Sequence, residues 1–220
     1  MSAALLISER GVDLLRNLRH TQLCGMAVFF VNIFQMDALY TVMRAGKIQF
    51  LHKLRIQFRI DNPGHDIEGV WFLLEHAKNT ADADLVAKAE EIFAWAMAAG
   101  WDEEYGGLLS FVDALGLPPE VCEHDMKLWW PHNEILIASL MLYRDTGKEE
   151  YLVCFYRVLE YAKAHFSDPE YGEWYGYLRR DGKPTEPSTK GTTFKGPFHL
   201  PRMLSMLDGM LTELQEKAVQ

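Results

Sequence analysis

The chain has 220 residues, 49% of them hydrophobic and 24% charged, with a net charge of −9. That is the composition of a globular domain with a sizeable core. The acidic balance and the lack of a basic tract exclude a nucleic-acid binder, because nothing supplies phosphate contacts. Cys24, Cys122 and Cys154 are scattered, form no CxxC pair and leave an odd one over. This suits a reducing, cytoplasmic setting.

In chain order, the apolar run "LCGMAVFFVNIFQMDALYTVM" from Leu23 is the first feature. Asn32, Gln35 and Asp37 at its middle argue against a membrane span, since an unpaired acid there is expensive. No small-residue cleavage pattern follows it, so a signal peptide is not expected. It reads as a buried or partner-covered helix. "GKIQFLHKLRIQFRID" then reads as strand-like or irregular.

From Gly64 onward the chain repeats. "HDIEGVWFLLEHAK" is apolar on most faces, as in a helix buried on several sides. Leu85, Val86, Ala89, Ile92, Phe93, Ala96 and Met97 then recur at helical spacing, with Lys88, Glu90 and Glu91 opposite. Gly100 is expected as the C′ residue of that helix. "WDEEYGGLLSFVDALG" follows as a turn and a short strand pair. The second unit keeps the order: the apolar "HNEILIASLMLYRDTG", then a stripe of Tyr151, Leu152, Phe155, Leu159, Ala162 and Phe166, then "DPEYGEWYGYLRRDG". Its Asp-x-Glu-Tyr-Gly matches Asp102 to Gly106. A third unit opens at His199. Buried helices covered by amphipathic ones, with small hairpins between, predict a double ring of helices whose inner members start at one end.

His65, His132 and His199 stand 67 residues apart, each at a helix start. The repeat predicts that they converge on the mouth of one cavity. Each alone also fits a helix cap or a polar plug. Zinc is not expected: His65 and Glu68 share one helical face, but His132 and Glu134 do not, and no thiolate stands at coordinating spacing. The aromatics of "KLWWPH" and "EYGEWYGYLRR" fit either a core or the walls of a sugar site.

"NPGHDIEGVWFLL", "MKLWWPHNE", "DPEYGEWYGYL" and "KGPFHLPR" together closely resemble the N-acylglucosamine 2-epimerase family, called renin-binding protein in animals. The resemblance runs from about Arg59 to Leu214. It implies an all-α, (α/α)6 barrel and the interconversion of N-acetylglucosamine and N-acetylmannosamine, a step in sialic acid metabolism. It implies catalytic roles for His65, His199, Glu68 and Glu134. Around them, substrate contacts are expected from His132, Trp129, Trp130, Lys195 and Arg202, the last two as partners of developing oxyanion charge. Relatives acting on other sugars usually carry a different residue at His132, which favours the N-acyl branch. No cofactor is required; ATP or another nucleotide enters only as an activator by resemblance, since no phosphate-cradling loop is present. The chemistry suits the residues. Inverting C2 beside a carbonyl needs proton transfer on both faces of one carbon, and histidine titrates near neutral pH.

The chain departs from the family in extent. Residues 59–220 match the C-terminal half of the barrel, and residues 1–58 have no clear family match and are expected to pack irregularly. The family's first-half arginine finds no counterpart. A partial barrel leaves apolar faces to cover, by the N-terminal segment or in a homodimer. The expected partner is a small N-acyl hexosamine, without nucleic acid or membrane. The alternative is an inactive remnant that binds a sugar or, by resemblance, a renin-like protease.

Overall fold

A computed structural model describes residues 60–113 and 116–219, so the expectations for residues 1–58, the Leu23 run included, lie outside the described residues. Helix α1 spans Pro63–Thr80, α2 Ala83–Gly100, α3 Trp129–Thr146, α4 Glu149–His165 and α5 His199–Val219. None of these is long and apolar enough to cross a membrane.

Local chemistry sets the helix ends. Asn62 caps α1 by accepting from the backbone N–H of His65, and Pro63 opens the first turn, where its missing N–H costs nothing. Asp82 caps α2 through the N–H groups of Asp84 and Leu85. Gly147 closes α3 in the left-handed region at φ 71°. Glu149 and Glu150 in the first turn of α4, with Lys163 and His165 in its last, complement the helix dipole.

α3 packs against α1 on one side, α5 on the other and α4 behind, while α2 covers α1. α1, α3 and α5 therefore form an inner row, and α2 and α4 an outer one. Being enclosed, α3 buries every residue from Pro131 to Leu142. The outer helices bury mainly one side: Leu85, Ala89, Phe93, Ala96, Met97 and Gly100 on α2, and Tyr151, Leu152, Phe155, Val158, Leu159, Tyr161 and Ala162 on α4. Phe166, just past α4, is fully buried as well. These are nearly the stripes that the periodicity predicts.

The short strands run differently from the expected local pairs. Strand β1, Ile60–Asp61, pairs antiparallel with β2, Val112–Asp113; β3, Lys127–Leu128, pairs with β4, Tyr177–Leu178. Each ladder ties the approach to an inner helix to the exit from its outer partner. The hairpins proper are closed by single bridges, Trp101 to Leu108 and Ser167 to Trp174. Both use one design. Asp102 accepts from the N–H groups of Glu104 and Tyr105, and Asp168 from those of Glu170 and Tyr171. Gly107 and Glu173 then occupy equivalent left-handed positions, φ 77° and 65°. Each aspartate also holds a lysine of the chain leading to the next inner helix, Lys127 and Lys190.

Gly100 is not the expected C′ residue. It lies inside α2, and a Cβ there would stand 2.7 Å from Pro63, so the glycine permits the close approach of α1. Gly64 does the same for α3: a Cβ would meet the Trp130 ring at 2.7 Å and Pro131 at 2.9 Å.

Candidate active site

The three inner helices begin together, and the site lies among their first turns. On α1, His65 and Glu68 are three residues apart, about 300° around the helix, and share a face. His199 and Arg202 repeat that spacing on α5. α3 contributes Glu134 and Trp130, four residues apart, between them.

Glu134 is fully buried and held by three donors. Its Oε2 accepts from the Trp71 indole N–H at 2.7 Å; its Oε1 accepts from His199 Nδ1 at 2.7 Å and from Arg202 at 2.5 Å. A buried carboxylate needs such company, because one left unpaired is strongly penalised. With Nδ1–H directed at the carboxylate, His199 keeps Nε2 as its free basic nitrogen. Arg202 also reaches Glu68 at 3.7 Å and lies 4.8 Å over the Trp71 ring and 4.0 Å over Phe198. Its Nε and Nη1 are buried and have no hydrogen-bond partner among the described residues.

The ring of Trp130 is flanked by the two imidazoles, centroids 4.8 Å from His65 and 5.4 Å from His199. His65 is exposed as a residue, yet burial of its ring, then the nearby His199, lower its pKa below the usual 6.5. A neutral imidazole is the result. Burial, then the neighbouring Glu134, push the Glu68 carboxyl up.

Glu68, Glu134 and His199 offer ligand atoms within 4.8 Å of one another. The positive charge among them is the Arg202 guanidinium, and His199 Nδ1 carries the proton given to Glu134. A metal ion would have to displace both, so these residues do not fit one.

Three expectations need correcting. His132 does not face the cavity. It is fully buried, stacked 5.3 Å from Tyr161, with Nδ1 donating to the Leu128 carbonyl and Nε2 accepting from the Leu108 N–H. Two residues before the inward Glu134, it points about 200° away. Burial holds its pKa down at about 3, so it stays neutral. Trp129 is 2% exposed and packed edge-to-face with Tyr177 and His199, so it offers no open face to a sugar. Lys195 lies against Gly176 with its ammonium on Glu173, a pair separate from the Glu134 cluster. Trp71 was not expected. Its signal was present, since it follows Glu68 by three residues on the same face.

A family profile described as N-acylglucosamine 2-epimerase (GlcNAc 2-epimerase) matches residues 36–195. The chain belongs to the N-acylglucosamine 2-epimerase family. That match begins inside the segment 1–58, where no clear family match is expected, and it stops short of His199 and Arg202. The N-acylglucosamine 2-epimerases of Bos taurus and Homo sapiens are 50% and 48% identical to it over 157 residues, 71% of this chain. The chain spans 37% and 36% of their lengths. A cellobiose 2-epimerase of Bacteroides fragilis is 32% identical over 66% of this chain and 37% of its own. Among solved structures, a D-mannose isomerase superposes with a TM-score of 0.61 at 25% identity, over 70% of this chain and 38% of that one. The cellobiose 2-epimerase of Bacillus thermoamylovorans gives 0.56 at 22% identity, over 69% and 37%, a likeness of fold. The helical hairpins are thus a part of an (α/α)6 barrel.

Proposed function

We propose that these residues form the proton-transfer part of a sugar 2-epimerase site acting on N-acyl hexosamines. The carrying observation is the pair of imidazoles flanking Trp130, with His199 backed by the buried Glu134. The higher identity to N-acylglucosamine 2-epimerases than to the cellobiose enzyme supports the N-acyl substrate.

In the open-chain sugar, the C2 hydrogen is acidified by the C1 carbonyl. One imidazole takes that proton, the C2–H electron pair forms a C1–C2 double bond, the carbonyl pair moves onto O1, and an enolate carrying the 2-acylamino group forms. The other imidazole returns a proton to the opposite face, inverting C2. Glu134 fixes the His199 tautomer and steadies the imidazolium when it forms. Arg202 has N–H groups without a partner among the described residues, and these can serve the developing oxyanion. Trp130, beside both imidazoles, adds apolar surface to the wall of the site.

Incubating N-acetylmannosamine with the protein in deuterated water tests this. Deuterium should enter C2 and appear in both epimers by mass spectrometry. Sugar that binds without label uptake would overturn the catalytic reading in favour of a binding role. Runs with and without ATP test the nucleotide activation that the resemblance implies.

A further inference from the structure

We infer that Trp71 is a positioning residue, a bracket that holds Glu134 by its N–H edge and Arg202 by its ring face, and through Glu134 fixes His199. This deepens the epimerase reading and rests on it for the kinetic arm of the test.

The contacts are specific. Trp71 is 7% exposed, and its indole N–H meets Glu134 Oε2 at 2.7 Å, a hydrogen bond across 63 residues of sequence. The opposite oxygen serves His199 and Arg202. A carboxylate fixed at one oxygen cannot rotate about its own axis, so the direction of the other is set. That direction keeps the His199 proton on Nδ1 and its lone pair on Nε2. The indole face meanwhile lies 4.8 Å under the guanidinium. One side chain thus sets the geometry between the two groups that meet at His199. Fully buried, Glu134 has no water to replace a lost donor, and an unsatisfied buried acceptor is costly.

The test has two arms. In the unaltered protein, the Trp71 indole N–H resonance should move with pH over the same interval as the His199 ring Cε1–H. The titratable and charged groups facing that ring are Glu134, Glu68, His65 and Arg202. The exposed Trp95 indole on α2 should stay still. A Trp71 signal that is flat while His199 titrates would overturn the bracket, and this arm needs neither a variant nor activity.

The kinetic arm uses Trp71→Phe, which keeps a ring under Arg202 but removes the donor. Label uptake should fall about 10- to 100-fold, the scale on which partners orienting metal-bound imidazoles act. KM should change by less than about 2-fold, since no sugar contact is lost. Added to Glu134→Gln, Trp71→Phe should cost little further, because both act through one carboxylate. Losses that multiply instead would mark Trp71 as independent of Glu134 and overturn the inference. Absence of label in the parent protein would count against the epimerase reading alone, and the titration would then decide the bracket. The titration likewise decides if Trp71→Phe does not fold.

Discussion

At the start of α1 a histidine precedes a glutamate by three residues, and at the start of α3 by two. The composition is nearly the same, Pro-Gly-His-Asp-Ile-Glu against Pro-His-Asn-Glu, and so is the place in the fold. Because the helix turns about 100° per residue, the shorter spacing sends His132 outward to Tyr161 and the Leu108 N–H, while Glu134 stays inward. The longer one keeps His65 and Glu68 on a single face. Position in a repeat is therefore a weaker guide to role than position relative to a residue whose direction is known. His132 staples the 101–108 hairpin to α3; His65 and His199 face solvent and the site.

The comparison breaks most visibly in activity. Replacing His65 or His199 by asparagine should cut C2 label uptake by roughly 10²–10⁴-fold, while urea unfolding moves by less than about 2 kcal/mol, the scale of a lost cap. Each variant keeps one base, so exchange should fall unequally for the two epimers. Near-parent rates in either would make that histidine structural.

His132→Ala should do the reverse. It strands the Leu108 N–H and the Leu128 carbonyl and leaves a void against Tyr161. A loss of about 2–4 kcal/mol is expected in urea unfolding. A change below about 1 kcal/mol would remove the staple from the account.

The same residue sets a pH dependence. Its folded-state pKa of about 3 lies below the ordinary 6.5, so the unfolded chain takes up the proton first. The stability it contributes is whole above about pH 6.5 and is lost as pH falls toward 3. The limiting slope is about 1.4 kcal/mol per pH unit. Denaturant midpoints between pH 7 and 4 should show that slope shrink in His132→Gln.

The smallest effect should come at Glu173, left-handed where the first hairpin has Gly107. Glu173→Gly removes backbone strain of about 1 kcal/mol but frees the Lys195 ammonium. Thermal melting should shift by only a few degrees. A large loss would show that the Lys195 pair secures the approach to α5.

Much of this was legible beforehand. The stripes on α2 and α4 follow from apolar spacing, and the matched hairpins from Asp-x-Glu-Tyr-Gly, whose aspartates make the same turn bonds in both units. The pairing of Glu134 with Trp71, His199 and Arg202 was not legible, because it joins side chains 63 to 68 residues apart. Sequence period carries no information about which way each points. Gly100 differs from its expected role because a glycine needed for close approach to Pro63 looks, in sequence, like one needed for a positive φ. The two-residue strands escape a local reading because their partners lie across a whole helix pair.

The common start of α1, α3 and α5 has one more consequence. Each helix N-terminus carries roughly half a positive charge, so three of them converge on the space around Glu134 and the two imidazoles. This field belongs to the backbone and survives any single side-chain replacement. It would draw the oxygen of an enolate toward the helix mouths. The topology itself thus leans the site toward anions before any side chain is chosen.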